Sequence, residues 1–210
     1  MAKKYHKYFI TGIGTDVGKT LISAIVVKAL NADYWKPVQA GDLEFSDTHK
    51  VKALVNDEKI NFHDNAYALK TPMSPHAAAE IDGVGIDLNK IINPKTNNHL
   101  VVEGAGGLLV PLNKNDTIAD LILKEDKIIL VSRHYLGSIN HTLLSLEYLK
   151  QRGFENIGII FSGDEHKSTE SIILSKANAK YLGRINEEKE ITPQVIQHYA
   201  KQLKENLQNF

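Results

Sequence analysis

Short runs of branched apolar residues alternate along the chain with stretches whose apolar positions recur at helical spacing. Tyr8–Thr11, Tyr34–Val38, His99–Val102, Lys127–Ser132, Ile157–Phe161 and Tyr181–Ile185 read as strands. Their continuous apolar character is that of parallel strands buried on both faces. Helical periods cover Gly18–Leu30 and about Ser138–Gln151, the second closed by Gly153 as a C′ glycine. Thr117–Leu123 reads as a short helix capped by Asp116 or Thr117. Thr192-Pro193 supplies an N-cap and an N1 proline for a terminal helix through Leu207. Strand–helix alternation of this kind predicts a single doubly wound α/β domain over residues 1–210, with a mostly parallel sheet. No repeat, low-complexity tract or linker composition interrupts it.

The terminal helix carries Val195, Ile196, Tyr199, Leu203, Leu207 and Phe210 as one stripe. Such a stripe suits a membrane-lying helix or one packed on the sheet or a partner subunit. Its polar face mixes lysine with glutamate, which favours packing. The start, MAKKYHKYFITG, passes from basic residues into a strand with no long apolar segment or cleavage site. The longest apolar run, Leu21–Val27, is cut by Ser23 and ended by Lys28. No membrane association is expected, and the cytoplasm is the expected compartment.

Composition narrows the chemistry. At 210 residues the chain can bury about 70% of its unfolded surface without staples. It contains no cysteine, which excludes disulfides, thiolate metal sites and cysteine nucleophiles. Lys+Arg and Asp+Glu both total 25, so no basic excess points to nucleic acid. Arginine occurs only as Arg133, Arg152 and Arg184, leaving anion contacts mainly to lysine and backbone N–H groups.

Gly12-Ile13-Gly14-Thr15-Asp16-Val17-Gly18-Lys19-Thr20 follows a strand and opens a helix, the context a P-loop requires. Glycines let N–H groups turn inward, and the helix N-terminus adds positive charge for phosphates. Lys19 is suited to the β- and γ-phosphates, and the Thr20 hydroxyl to Mg²⁺. The first glycine lies one place early, at Gly12, with Ile13 where it usually falls. Glu103 ends its strand before Gly104-Ala105-Gly106-Gly107, where open α/β sheets bind ligands. Lys36 closes its strand ahead of Pro37, and Asp47 opens a helix. Taken alone, Lys36 reads as a snorkelling surface lysine and Asp47 as an N-cap, whereas for Glu103 a solvated strand end is the lesser reading beside the glycines that follow it.

The ordered set of motifs resembles the dethiobiotin synthetases, ATP-dependent ligases of biotin synthesis with the P-loop NTPase fold. The set comprises Thr11-Gly12…Val17-Gly18-Lys19-Thr20, Lys36-Pro37-Val38-Gln39, Ser46-Asp47, Ser74-Pro75-His76-Ala77-Ala78, Val102-Glu103-Gly104-Ala105-Gly106-Gly107, Leu136-Gly137-Ser138-Ile139-Asn140-His141 and Leu182-Gly183-Arg184-Ile185. It spans about residues 8–195, and the wide Gly12–Gly18 spacing is the family's own. The resemblance implies that Lys19 and Lys36 face the transferring phosphate as catalytic charges, and that Thr20, Asp47 and Glu103 hold Mg²⁺. It implies a nucleotide site of Asp16, Val17, Gly18, Lys19, Thr20, Leu21, Asp47, Glu103, Gly104, Ala105, Gly106, Ser162 and Gly163. Substrate contacts fall to Lys36, Ala40, Gly137, Ser138, Ile139 and Asn140, the helix start receiving the carboxylate of 7,8-diaminononanoate across a homodimer interface. The implied reaction uses CO₂ and ATP to close the cyclic urea through a carbamate and a carbamic-phosphoric anhydride, without a protein nucleophile.

Three positions depart from that pattern. Ala40 stands where a hydroxyl residue is usual, Ser162 where an asparagine reads adenine, and Asn186 where proline follows Ile185. A partition- or septum-type switch ATPase shares the fold, but its extra lysine, five positions before the P-loop lysine, is Gly14 here. An amide-forming ligase fused to a glutaminase would need a cysteine and a second domain. A nucleotide-binding module without ligase activity is the remaining alternative.

Overall fold

The computed structural model describes residues 5–210; Met1–Lys4, the basic start of the chain, lie outside the described residues. β1 (Lys7–Gly12) stands between β6 (Leu100–Gly107) and β7 (Lys127–Arg133). Beyond β6 come β2 (Asp33–Trp35) and β4 (Phe62–His63); beyond β7 come β8 (Ile157–Ser162) and β9 (Lys180–Ile185). All seven strands run parallel. The order reverses at β1, where one crossover leads outward to β2 and the later strands build on the other side. Ligands of open α/β sheets bind outside the strand carboxyl ends at such a switch point.

The helices cover this sheet in groups. α1 (Lys19–Leu30) packs with α2 (Asp47–Val55) and α6 (Pro193–Gln208), and α4 (Ser138–Gln151) with α5 (Lys167–Lys176). Ile22, Ile25 and Val26 of α1 and Phe9, Ile10, Val101, Ile129 and Ile160 of the strands share one core. The α6 stripe goes into it: Ile196, Tyr199, Leu203 and Leu207 are buried, so packing, not membrane contact, explains the apolar face. Among the described residues no helix is long and apolar enough to cross a membrane.

Caps follow local chemistry. Thr192 Oγ1 accepts from the Val195 N–H at 3.3 Å, with Pro193 at N1, and Gly153 takes φ 73° after α4. Thr117, not Asp116, caps the next turn, its N–H and hydroxyl each 2.8 Å from Asp120 Oδ2. That turn is a 3₁₀ element over Ile118–Leu121, shorter than the helix predicted for Thr117–Leu123.

Two strand readings need correction. The run Tyr34–Val38 is not one strand: Pro37 lacks an N–H and breaks the ladder. β2 stops at Trp35, and β3 (Val38–Ala40) joins β5 (Tyr67–Leu69) in a separate two-stranded parallel sheet. The strand at His99–Val102 does not end before the glycines but continues to Gly107, with Gly12 of β1 opposite Gly107. Glu103 therefore sits within a strand, opposite Ile10. α3 (Pro75–Asp82), α5, β4 and β5 have no counterpart among the elements predicted from the pattern. α5 buries only Glu170 and Ile173, too little for a visible stripe.

Candidate active site

The loop between β1 and α1 is shaped by contacts that tolerate no side chain at two glycines. A Cβ on Gly12 would stand 2.5 Å from Val17 Cγ2. Gly18 has φ 95°, and a Cβ there would meet Ser162 Oγ at 2.9 Å. Gly18 precedes the first turn of α1, whose free N–H groups and dipole suit an anion. Lys19 folds back over the loop, its ammonium donating to the Gly14 carbonyl at 2.7 Å. Its pKa is lowered to about 8, by burial first and by the neighbouring Lys36 ammonium second, against the opposing pull of Glu103, Asp47 and Asp16.

Five more side chains converge from different elements. Lys36 sits in the break between β2 and β3 and is only 4% exposed, so it is no snorkelling surface lysine. Its Nζ lies 2.9 Å from Asp47 Oδ2 and donates to Glu103 Oε1 at 3.1 Å and to the Gly104 carbonyl at 3.3 Å. Burial disfavours its charge, but Glu103 and Asp47 outweigh that and hold its pKa above the usual lysine value. Thr20 Oγ1 donates to Glu103 Oε1 at 2.9 Å, and the Tyr34 hydroxyl donates to Oε2 at 2.8 Å. Glu103 is 1% exposed, which removes the reading of a solvated strand end.

Asp47 is not the N-cap of α2 either. Ser46 holds that position: its N–H donates to His49 Nδ1 at 3.1 Å, and its Oγ lies 2.9 Å from the same nitrogen. Asp47, one residue on, turns its carboxylate to Lys36, with Lys50 Nζ 3.4 Å from Oδ1. Burial raises its pKa, but Lys36 and Lys50 prevail and hold it below the usual aspartate value.

Of these side chains, Lys19, Thr20, Lys36, Asp47, Lys50 and Glu103 line one cleft of about 830 Å³ at the carboxyl ends of β1 and β6. It brings together Asp16, Gly18, Lys19, Thr20, Lys36, Ala40, Asp47, Glu103, Ala105 and Gly106 of the expected set. Val17 is buried in the loop itself, and Leu21 lies in the first turn of α1. Ser162 lies behind Gly18 at the end of β8, and a Cβ on Gly163 would face open space. Gly137, Ser138, Ile139 and Asn140 lie outside this cleft, at the start of α4. That turn is tied to β7: Thr142 Oγ1 donates to the Ser138 carbonyl at 2.6 Å and stands 2.8 Å from Ser132 Oγ. Beside it a second groove of about 410 Å³ runs between the phosphate loop, Leu108–Pro111 and α4, with Ile13, Leu109, Leu144 and Tyr148 in its wall.

Sequence reasoning missed Tyr34, Lys50 and Arg133 as neighbours of the site. Arg133 and Lys50 line the cleft, and Tyr34 supports it from within the sheet. Lys50 stands three residues after Asp47 on a helix, a spacing that could have indicated the pair. Tyr34 had no signal beyond a strand residue.

A family model described as an AAA domain matches residues 6–195. The chain is 62% identical over 200 residues to the ATP-dependent dethiobiotin synthetase BioD of Christiangramia forsetii, covering 95% of this chain and 97% of that protein. It is 52% identical over 202 residues to the enzyme of the same name from Cytophaga hutchinsonii, covering 95% and 98%. The chain belongs to the dethiobiotin synthetase family. Solved structures extend the likeness in fold alone. A ParA family ATPase from Chlorobium tepidum matches with TM-score 0.58 at 13% identity over 98% of this chain and 96% of that one. A plasmid partition protein from Borrelia burgdorferi matches with TM-score 0.60 at 16% identity over 99% and 100%. The likeness to these two structures is one of fold. Five positions before Lys19, where the alternative of a partition- or septum-type switch ATPase calls for a lysine, stands Gly14, and its carbonyl takes the Lys19 ammonium.

Proposed function

We propose that this chain closes the ureido ring of dethiobiotin from 7,8-diaminononanoate, CO₂ and ATP, releasing ADP and phosphate. The observation that carries this reading is the convergence of Lys19, Thr20, Lys36, Asp47 and Glu103 on one cleft beside a helix N-terminus. One substrate amine adds to CO₂, giving a carbamate and releasing a proton. A carbamate oxygen attacks the γ-phosphorus as the bond to the ADP oxygen breaks. The second amine then attacks the carbamoyl carbon, expelling phosphate and losing a proton as the ring closes. No protein nucleophile enters, so the chain contributes position and charge. Lys19 and Lys36 approach from different loops and suit two oxygens of the phosphoryl group in flight.

The donors present fit Mg²⁺, which takes hard oxygens, usually one or two carboxylates together with water and substrate phosphates. Thr20 offers a hydroxyl, and Asp47 and Glu103 offer carboxylates that the Lys36 ammonium already bridges, a pair suited to positive charge. When bound there, Mg²⁺ would neutralise charge on the β- and γ-phosphates. The groove walled by Ile13, Leu109 and Leu144 suits the aliphatic chain of the diamine, and the N–H groups opening α4 suit its carboxylate. Leu136, Ile139 and Leu144 expose apolar surface along the start of α4, which supports pairing of two copies there.

Incubation with diaminononanoate, bicarbonate and Mg-ATP, with mass detection of the cyclic urea, tests the reading. Product, with one ADP per ring closed, is expected. ATP hydrolysis that appears only with an added protein partner would favour a switch ATPase instead.

A further inference from the structure

The two oxygens of Glu103 meet different surroundings. Oε1 takes the Thr20 hydroxyl and the Lys36 ammonium at the cleft wall. Among the described residues Oε2 takes one donor, the Tyr34 hydroxyl, at 2.8 Å. Tyr34 stands in the middle of β2 opposite Val101, is wholly buried, and packs its ring 6.0 Å from that of Phe62. It is not part of the cleft wall and cannot meet a nucleotide. A carboxylate held at one oxygen only could rotate about its last bond and carry both oxygens towards Lys36. The Tyr34 hydroxyl opposes that rotation from the far side.

We propose that Tyr34 is a positioning residue: by fixing Oε2 of Glu103 inside the sheet it aims Oε1 at the cleft and so sets the affinity for the nucleotide's divalent cation. The inference rests on the reading of Glu103 as a ligand of that cation. Outer partners that orient metal ligands typically change metal affinity by about 10–100-fold when removed. Phenylalanine at position 34 would fill the same ring space and remove only the donor.

The test uses Tyr34→Phe and Mn²⁺ as a spectroscopic probe, titrated into the protein–ADP complex without turnover. The expected result is an Mn²⁺ Kd raised about tenfold or more, with ADP binding in the absence of metal unchanged. An Mn²⁺ affinity equal to that of the parent overturns the proposal. Loss of metal-free ADP binding overturns it as well, since the hydroxyl would then sustain the loop itself and not the aim of one carboxylate. Glu103→Gln is measured in parallel. If it too leaves Mn²⁺ binding unchanged, the assignment of Glu103 to the cation fails; if it alone weakens binding, only the role of Tyr34 falls.

Discussion

Lys36 and Asp47 meet at 2.9 Å although one lies in a strand break and the other opens a helix. With Glu103 on its other side, the ammonium joins two carboxylates that would otherwise repel. Cation and anion therefore depend on each other in the free protein, and both stand at the cleft where the nucleotide's own charges arrive.

Replacing Lys36 by glutamine keeps much of the stem and removes the charge. We expect kcat to fall about 10²-fold or more, the scale of losing one preorganised electrostatic contact. The free protein should also lose stability, because Asp47 and Glu103 remain without their shared cation. Melting with and without Mg-ADP separates the effects: Mg-ADP should raise the variant's Tm more than the parent's. An unchanged kcat would return Lys36 to a structural role.

Asp47→Asn leaves the Ser46 cap of α2 in place. The cap is therefore kept, but the Lys36 pair is lost, so some loss of thermal stability is expected together with a large rise in the Mg²⁺ needed for half-maximal activity, because a hard anionic oxygen is lost. Ser46→Ala should cost about 1 kcal/mol of stability while leaving the Mg²⁺ response intact. Magnesium titrations and melts of both variants check the pair, and a Mg²⁺ response unmoved by Asp47→Asn contradicts a metal-ligand role.

Ser162 ends β8 beside the open space at Gly163. Asparagine can offer a base a donor and an acceptor together, worth about 1–3 kcal/mol of discrimination. The serine hydroxyl rotates to suit almost any base edge. The parent should accept GTP, CTP and UTP within roughly tenfold of ATP in kcat/KM, and Ser162→Asn should sharpen selection for ATP. Strict ATP use by the parent would show that other groups read the base.

Asp33 opens β2 at the opposite end of the sheet, where its buried carboxylate accepts from Thr96 Oγ1 at 2.5 Å, the Asn61 N–H at 3.2 Å and Asn98 Nδ2 at 3.2 Å. Burial raises its pKa, but Thr96, Asn61 and Asn98 prevail and hold it below the usual 3.8. A carboxylate with a lowered folded pKa adds stability that is present above its unfolded pKa and lost as pH falls through the folded one. Asp33→Asn should therefore be less stable than the parent at neutral pH, with the gap closing below about pH 4. Denaturant melts from pH 7 to pH 3 measure it; a constant gap would mean that the carboxylate's charge contributes nothing.

The parallel α/β class is legible in the residue pattern, because buried strands must be continuously apolar and the crossover helices carry a 3.6-residue stripe. So is the phosphate loop, whose backbone geometry depends on local residue types at Gly12, Gly18, Lys19 and Thr20. The caps at Thr192 and Gly153 were legible for the same local reason. Short elements such as β4 and α3 were not, since two to eight residues carry too little period and owe their shape to their neighbours. Tertiary structure alone decided that Lys36 is buried, that Asp47 leaves the capping to Ser46, and that Tyr34 reaches Glu103. Those outcomes depend on contacts between residues far apart in the chain, and strand order, not local pattern, brings β2 beside β6. A side chain's neighbours across a sheet are set by register, which no local window of sequence contains.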